Sequence, residues 1–82
     1  MLSHMGEPQY TVTCHWDEEA HVWYVADSDV PGLATEAATL EEMERKLLVM
    51  IPEVLELNAP GFVAPVPFEL VARKSATLHK ST

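Results

Sequence analysis

The sequence predicts an α+β fold of element order β-β-β-α-β, a four-stranded mixed sheet of strand order 3-2-1-4 covered on one face by a single long helix. Three observations predict it. Tyr10 to Trp16 alternates between apolar and polar residues, and a second β-rich run follows after a short polar break. Asp27 to Asn58 leads from a proline-glycine turn into the one long apolar stripe of helical period. Phe68 to Lys74 then alternates again after a proline-rich return. In a three-strand meander the first and third strands run parallel, so a strand returning after the helix can pair in parallel with the free edge of the first by a right-handed crossover. The other sheet face is left bare.

The first strand places Tyr10, Val12, Cys14 and Trp16 on one face, with Thr11, Thr13 and His15 on the other. Asp17 to Ala20 forms a polar break, and His21 to Ala26 is rich in β-branched and aromatic residues. The pair reads as a hairpin in which Trp16 opposes His21, Cys14 opposes Trp23 and Val12 opposes Val25. A one-residue shift would turn Val22, Tyr24 and Ala26 inward instead. Pro31 and Gly32 have tight-turn chemistry, since proline presets its own φ and glycine accepts positive φ. Leu33 to Ala37 follows as a short third strand.

Thr39 is placed to cap the first free amides of the helix, and Glu42 to reach back to the cap's own amide. Glu41, Glu42 and Glu44 lie near the positive end of the helix dipole. Leu40, Met43, Leu47, Met50, Ile51, Val54 and Leu57 form the stripe expected to face the sheet, with Glu42, Arg45, Lys46, Glu53 and Glu56 opposite. Leu48 and Leu55 widen it beyond what one sheet face needs, which marks them as candidates for an oligomer interface. Pro52 cannot donate to the Leu48 carbonyl, so a kink is expected there. Asn58, Pro60 and Gly61 stop the helix, and Pro60, Pro65 and Pro67 keep the return extended. Residues 9–74 therefore form a single domain. Ser3, His4 and Met5 read as a cloning remnant, leaving 1–8 as a disordered or tag-derived start and 75–82 as a polar basic tail.

Eighty-two residues make one small domain that should bury about 60 to 65% of the surface its unfolded chain exposes. Thirteen acids against five Lys and Arg give a net charge of −8, which repels phosphate backbones and anionic membrane surfaces. The charge is uneven. The stretch from Arg73 to Thr82 holds three of the five bases and no acid, so residues 1 to 72 carry a charge of −11. The single cysteine, Cys14, excludes an internal disulfide and fits a reducing cytosol. The longest uninterrupted aliphatic run, Leu47 to Ile51, is far short of a membrane span, and a cytoplasmic location is expected.

Residues that could carry chemistry have plainer readings. Cys14, His15 and His21 lack a second cysteine and zinc-finger spacing, and strand neighbours point to opposite faces. Asp17, Glu18 and Glu19 could hold a hard cation, yet consecutive acids at a hairpin tip are ordinary turn chemistry. Asp27 and Asp29 flank Ser28 and could act as an acid-base pair or hold magnesium. No histidine, lysine or glycine-rich phosphate loop stands beside them. Catalytic residues, metal ligands and cofactors are accordingly expected to be absent. Trp16, Trp23 and Tyr24 fit sheet packing, although an aromatic on the bare face would mark a contact surface.

Trp16-Asp17-Glu18-Glu19-Ala20, Val22-Trp23, Asp29-Val30-Pro31-Gly32-Leu33, Thr39-Leu40-Glu41-Glu42, Pro52-Glu53 and Leu55-Glu56-Leu57-Asn58 together resemble a small bacterial domain family of unknown function related to HicB antitoxins. The resemblance spans about residues 10 to 74, and its most telling part is the proline-glycine turn followed at short range by the capped helix. It implies an incomplete ribonuclease-H-like sheet with one covering helix. It also implies a domain that binds and blocks HicA, a small basic ribonuclease. HicB proteins carry a C-terminal DNA-binding segment as well; no helix-turn-helix or ribbon-helix-helix pattern follows the fourth strand here, and no acidic metal-binding triad matches residue by residue.

The function these readings favour is a non-catalytic, antitoxin-like binding module for a small basic partner, contacted through Trp23, Asp27, Asp29, Val30 and Pro31. A homo-oligomeric structural domain without a toxin partner, its interface including Leu48 and Leu55, is the alternative. A small metal-dependent nuclease or hydrolase using Asp27 and Asp29 comes third. Direct nucleic-acid and membrane partners are not expected; a homodimer or higher oligomer is.

Overall fold

In the computed structural model, residues 9–58 and 66–80 are described. Strands β1 (Tyr10–Asp17), β2 (Val22–Ser28) and β3 (Glu36–Ala37) precede helix α1 (Leu40–Asn58) and strand β4 (Phe68–Arg73). The sheet has the order β3-β2-β1-β4; β1 pairs antiparallel with β2 and parallel with β4. This is the topology expected from the sequence. No described helix is long and apolar enough to cross a membrane. Pro60, Gly61 and Pro65, invoked above to stop the helix and extend the return, lie outside the described residues, as do residues 1–8.

The hairpin keeps the expected faces but slides by two residues. Trp16 opposes Trp23, His15 opposes Tyr24 and Cys14 opposes Val25, in place of the expected pairing of Trp16 with His21, Cys14 with Trp23 and Val12 with Val25. The turn decides this. The Asp17 carboxylate accepts hydrogen bonds from the Glu19 and Ala20 amides at 3.0 and 3.2 Å, and the Asp17 carbonyl accepts one from the His21 amide at 2.8 Å. His21 takes a left-handed φ of 58°, which removes it from the strand.

A β-bulge then interrupts the ladder. Cys14 opposes Val25 but Thr13 opposes Asp27, so Ala26 has no partner. Strict alternation after Trp23 and Val25 would aim Asp27 at the helix side. The extra residue returns it to the bare face, where it is exposed.

At the next turn the Leu33 amide donates to the Val30 carbonyl at 3.4 Å, around Pro31 and a Gly32 of φ 72°. Proline before a residue of positive φ is the type II pattern. The third strand shrinks from the expected Leu33 to Ala37 to two residues, with one further bond from the Val25 amide to the Thr35 carbonyl at 3.2 Å. Leu33 instead turns into the core.

Helix α1 begins as the capping pattern predicts, with the Glu42 amide donating to Thr39 Oγ1 at 3.1 Å. Glu42 reaches back one residue further than expected, accepting from the Ala38 amide at 3.3 Å rather than from that of Thr39. The buried positions are Met43, Leu47, Ile51 and Leu55, at strict four-residue spacing. Leu57, placed on the stripe by sequence, is 82% exposed, and Leu55, assigned above to an oligomer surface, is 1% exposed. Two of the stripe's expectations thus exchange places, because the buried line follows the slanting i, i+4 row across the sheet. The helix continues through Pro52 and is closed by Asn58 Nδ2 donating to the Val54 carbonyl at 2.9 Å. Lys46 Nζ donates to the Glu36 carbonyl at 2.6 Å, tying the helix to β3.

The core lies between α1 and one sheet face. Val12, Cys14, Val30, Leu33 and Ala37 join the four helix residues, with Trp23, Val25, Phe68 and Leu70 packed against them.

Candidate functional site

The residues assigned by sequence to a partner surface fall into two separate places. Trp23 stands near the hairpin end of β2, and Asp27 four residues along toward the other end, roughly 13 Å away at the rise of a strand. One contact patch built on both is not what the fold makes.

At the hairpin end, the Trp16 and Trp23 rings meet edge to face at 5.4 Å, and His21 stands edge-on to Trp16 at 6.1 Å. Trp16 Nε1 donates to Glu18 Oε1 at 2.8 Å, and Lys74 Nζ lies 4.9 Å from the Trp16 ring centroid. Trp23 is half-buried and packs against the core. Sequence reasoning missed this cluster because Lys74 comes beside Trp16 only through the parallel pairing of β4 with β1.

At the other end, the turn from Asp27 to Leu33 is pinned from both sides. The Asp29 amide donates to the Thr11 carbonyl at 3.1 Å, and the Thr11 amide donates to Asp29 Oδ2 at 3.2 Å. The Val30 amide donates to Ser28 Oγ at 2.8 Å. Val30 is 2% exposed and belongs to the core, so it anchors the turn from beneath; as a surface contact it is a correction to the sequence reading. Asp27, Asp29 and Pro31 are exposed. The result is a fixed rim bearing two carboxylates and a proline, with one oxygen of Asp29 already engaged.

The bare face combines Thr11, Thr13 and His15 of β1 with Glu69, Val71 and Arg73 of β4, in the register Thr11–Glu69, Thr13–Val71 and His15–Arg73. His15 and Tyr24 meet edge to face at 6.1 Å. An apolar groove runs between the second half of α1 and the start of β4, bounded by Leu47, Leu48, Pro52, Leu55, Val66 and Phe68. Leu48, one of the two interface candidates, is 57% exposed at its rim, whereas Leu55 forms its floor.

Cys14 is fully buried against the helix, and burial pushes its thiol above the ordinary range, which keeps it protonated and unreactive. His15 points to the opposite face and His21 sits in the turn, so the three do not converge. Among the described residues no group of three His, Cys, Asp or Glu side chains is placed to hold a metal ion.

The chain matches no curated protein. It is similar to a solved structure, that of the hypothetical protein TTHA1013 from the extremely thermophilic bacterium Thermus thermophilus, at 47% identity and a TM-score of 0.59, covering 85% of this chain and 99% of that one. The family described as "Domain of unknown function (DUF1902)" matches residues 9–80. The chain belongs to that family.

Proposed function

We propose that the protein is a non-catalytic binding module, similar to the HicB antitoxins, whose partner is a small basic protein such as a ribonuclease. The observation that carries this reading is the fixed acidic rim: Asp27, paired opposite Thr13 near the end of β2, and Asp29, in the turn beyond it, stand on a segment held by the Thr11, Ser28 and Val30 contacts. Such a surface loses little conformational freedom on binding, so its contacts translate into affinity more fully than those of a mobile loop. The surrounding charge supports it. All twelve described acids are exposed or half-buried, and residues 1 to 72 carry −11. Two of the five bases are turned to other tasks, Lys46 on the Glu36 carbonyl and Lys74 on the Trp16 ring. The summed field draws a cationic partner and disfavours nucleic acid.

The module would block a basic ribonuclease by covering its active site or by denying RNA its positive surface. The test is co-expression with the product of the neighbouring reading frame, purification of the complex and an assay of that product's ribonuclease activity. The expected result is a stable complex with suppressed cleavage, restored by Asp27→Lys. Free cleavage in the presence of excess wild-type protein would contradict the proposal.

A further inference from the structure

The two edges of the sheet differ in a way that points to self-association. The β3 edge offers two residues, whereas β4 offers six, Phe68 to Arg73, with no proline or glycine among them. Among the described residues no strand pairs with the outer side of β4. An open edge of that length is a template for another strand.

We infer that a second copy of this chain pairs antiparallel with β4, about a two-fold axis that runs perpendicular to the sheet midway between Val71 and its symmetry mate. The register follows from the residues. Opposed residues in a continuous sheet must share a face, so the axis must pass midway between a residue and its own symmetry mate. An axis at Glu69 or Arg73 opposes like charges at the centre. An axis at Val71 places Glu69 opposite Arg73 of the second copy, twice by symmetry, with Val71 against Val71 between them. On the helix side, Leu70 then lies opposite Ala72 of the second copy. This strand is complementary to itself in one register.

One further feature agrees with that alignment. Continued beyond Lys74, the same register carries the exposed Ser75 and Ala76 of each copy past Pro67 and Val66 of the other. Val66 also lines the apolar groove with Leu48 and Pro52. Because β1 separates β4 from β2, the Asp27 to Pro31 rim stays free, and the dimer does not depend on the basic partner.

The experiment is sedimentation equilibrium on the full chain with Glu69→Arg, Arg73→Glu and the two combined. Both positions are exposed, so the variants should fold, as circular dichroism would verify. Each single change turns two attractive cross-strand pairs repulsive and should weaken the dimer about tenfold, and the combination should restore it. General charge repulsion predicts otherwise, because Glu69→Arg reduces the net negative charge and would strengthen association. Val71→Cys provides a second reading: its thiols should cross-link under mild oxidation, since opposed strand residues lie within disulfide reach and Cys14 is buried. A monomer at high micromolar concentration, or a dimer indifferent to both single changes, would overturn the inference.

Discussion

Asp29 closes the far end of the sheet by exchanging two hydrogen bonds with the Thr11 backbone, and its role in the fold sets how it can be altered. Asp29→Ala should cost ~1 kcal/mol and loosen the turn, while Asn, which keeps an acceptor oxygen, should cost less. Cooperative urea unfolding of the three proteins measures this. Leu48 and Leu55 make a sharper contrast. They look alike in sequence, yet Leu55 is enclosed and Leu48 lies open on the groove rim. Leu55→Ala, like Leu47→Ala, should destabilise by ~2 to 5 kcal/mol, and Leu48→Ala by no more than ~0.5 kcal/mol at concentrations where the protein is monomeric. Equal losses at the two positions would mean the helix is rotated from the described orientation.

Cys14 gives a pH signature of known sign. Burial raises its pKa in the folded state, so between the unfolded and folded values the native protein holds a proton that the unfolded chain has released. The stabilisation is full below the unfolded thiol value and is lost as pH rises through the folded one. The stability gap between wild type and Cys14→Ala should therefore narrow with rising alkaline pH. A gap constant with pH would show that the thiol is not held neutral by burial.

At the level of elements, the strands, the helix and their order are legible because each follows a local period: two for Tyr10 to Trp16 and Phe68 to Lys74, and 3.6 for Leu40 to Val54. The hairpin register is not. It depends on how the Asp17 side chain folds the turn and on a bulge of one residue, neither of which leaves a periodic trace. One sign is present: an aspartate at position 27, where continued alternation from Trp23 and Val25 would bury it, is a conflict that a bulge resolves. If Ala26 is the extra residue, deleting it leaves Asp27 opposite Thr13 and Ser28 opposite Val12. The deletion variant should unfold cooperatively and keep the near-ultraviolet signature of packed tryptophans; loss of either would place the irregularity elsewhere. The candidate site is legible only in part. Its acidic and proline residues are visible in sequence, but Trp23 joins them only by proximity along the chain, and a strand of this length carries its ends apart.

For the molecule as a whole, charge and fold act together. Among the described residues the small α+β body leaves one sheet face, one strand edge and an acidic rim available at the same time, and β1 keeps the rim and the edge apart. The proposed partner surface and the proposed self-pairing surface can thus be occupied together. In the proposed complex the acidic body would set the rate of encounter with a cationic partner, and short-range contacts at the rim its lifetime. Raising salt should then slow association more than it changes dissociation. Binding through the acidic rim is probed most directly by the association rate with the product of the neighbouring reading frame, measured at low and at near-physiological salt for wild type and Asp27→Lys. The rate should fall with salt and fall again with the charge reversal, at a nearly constant dissociation rate. No binding, or an association rate indifferent to both salt and Asp27→Lys, would contradict a partner held at that rim.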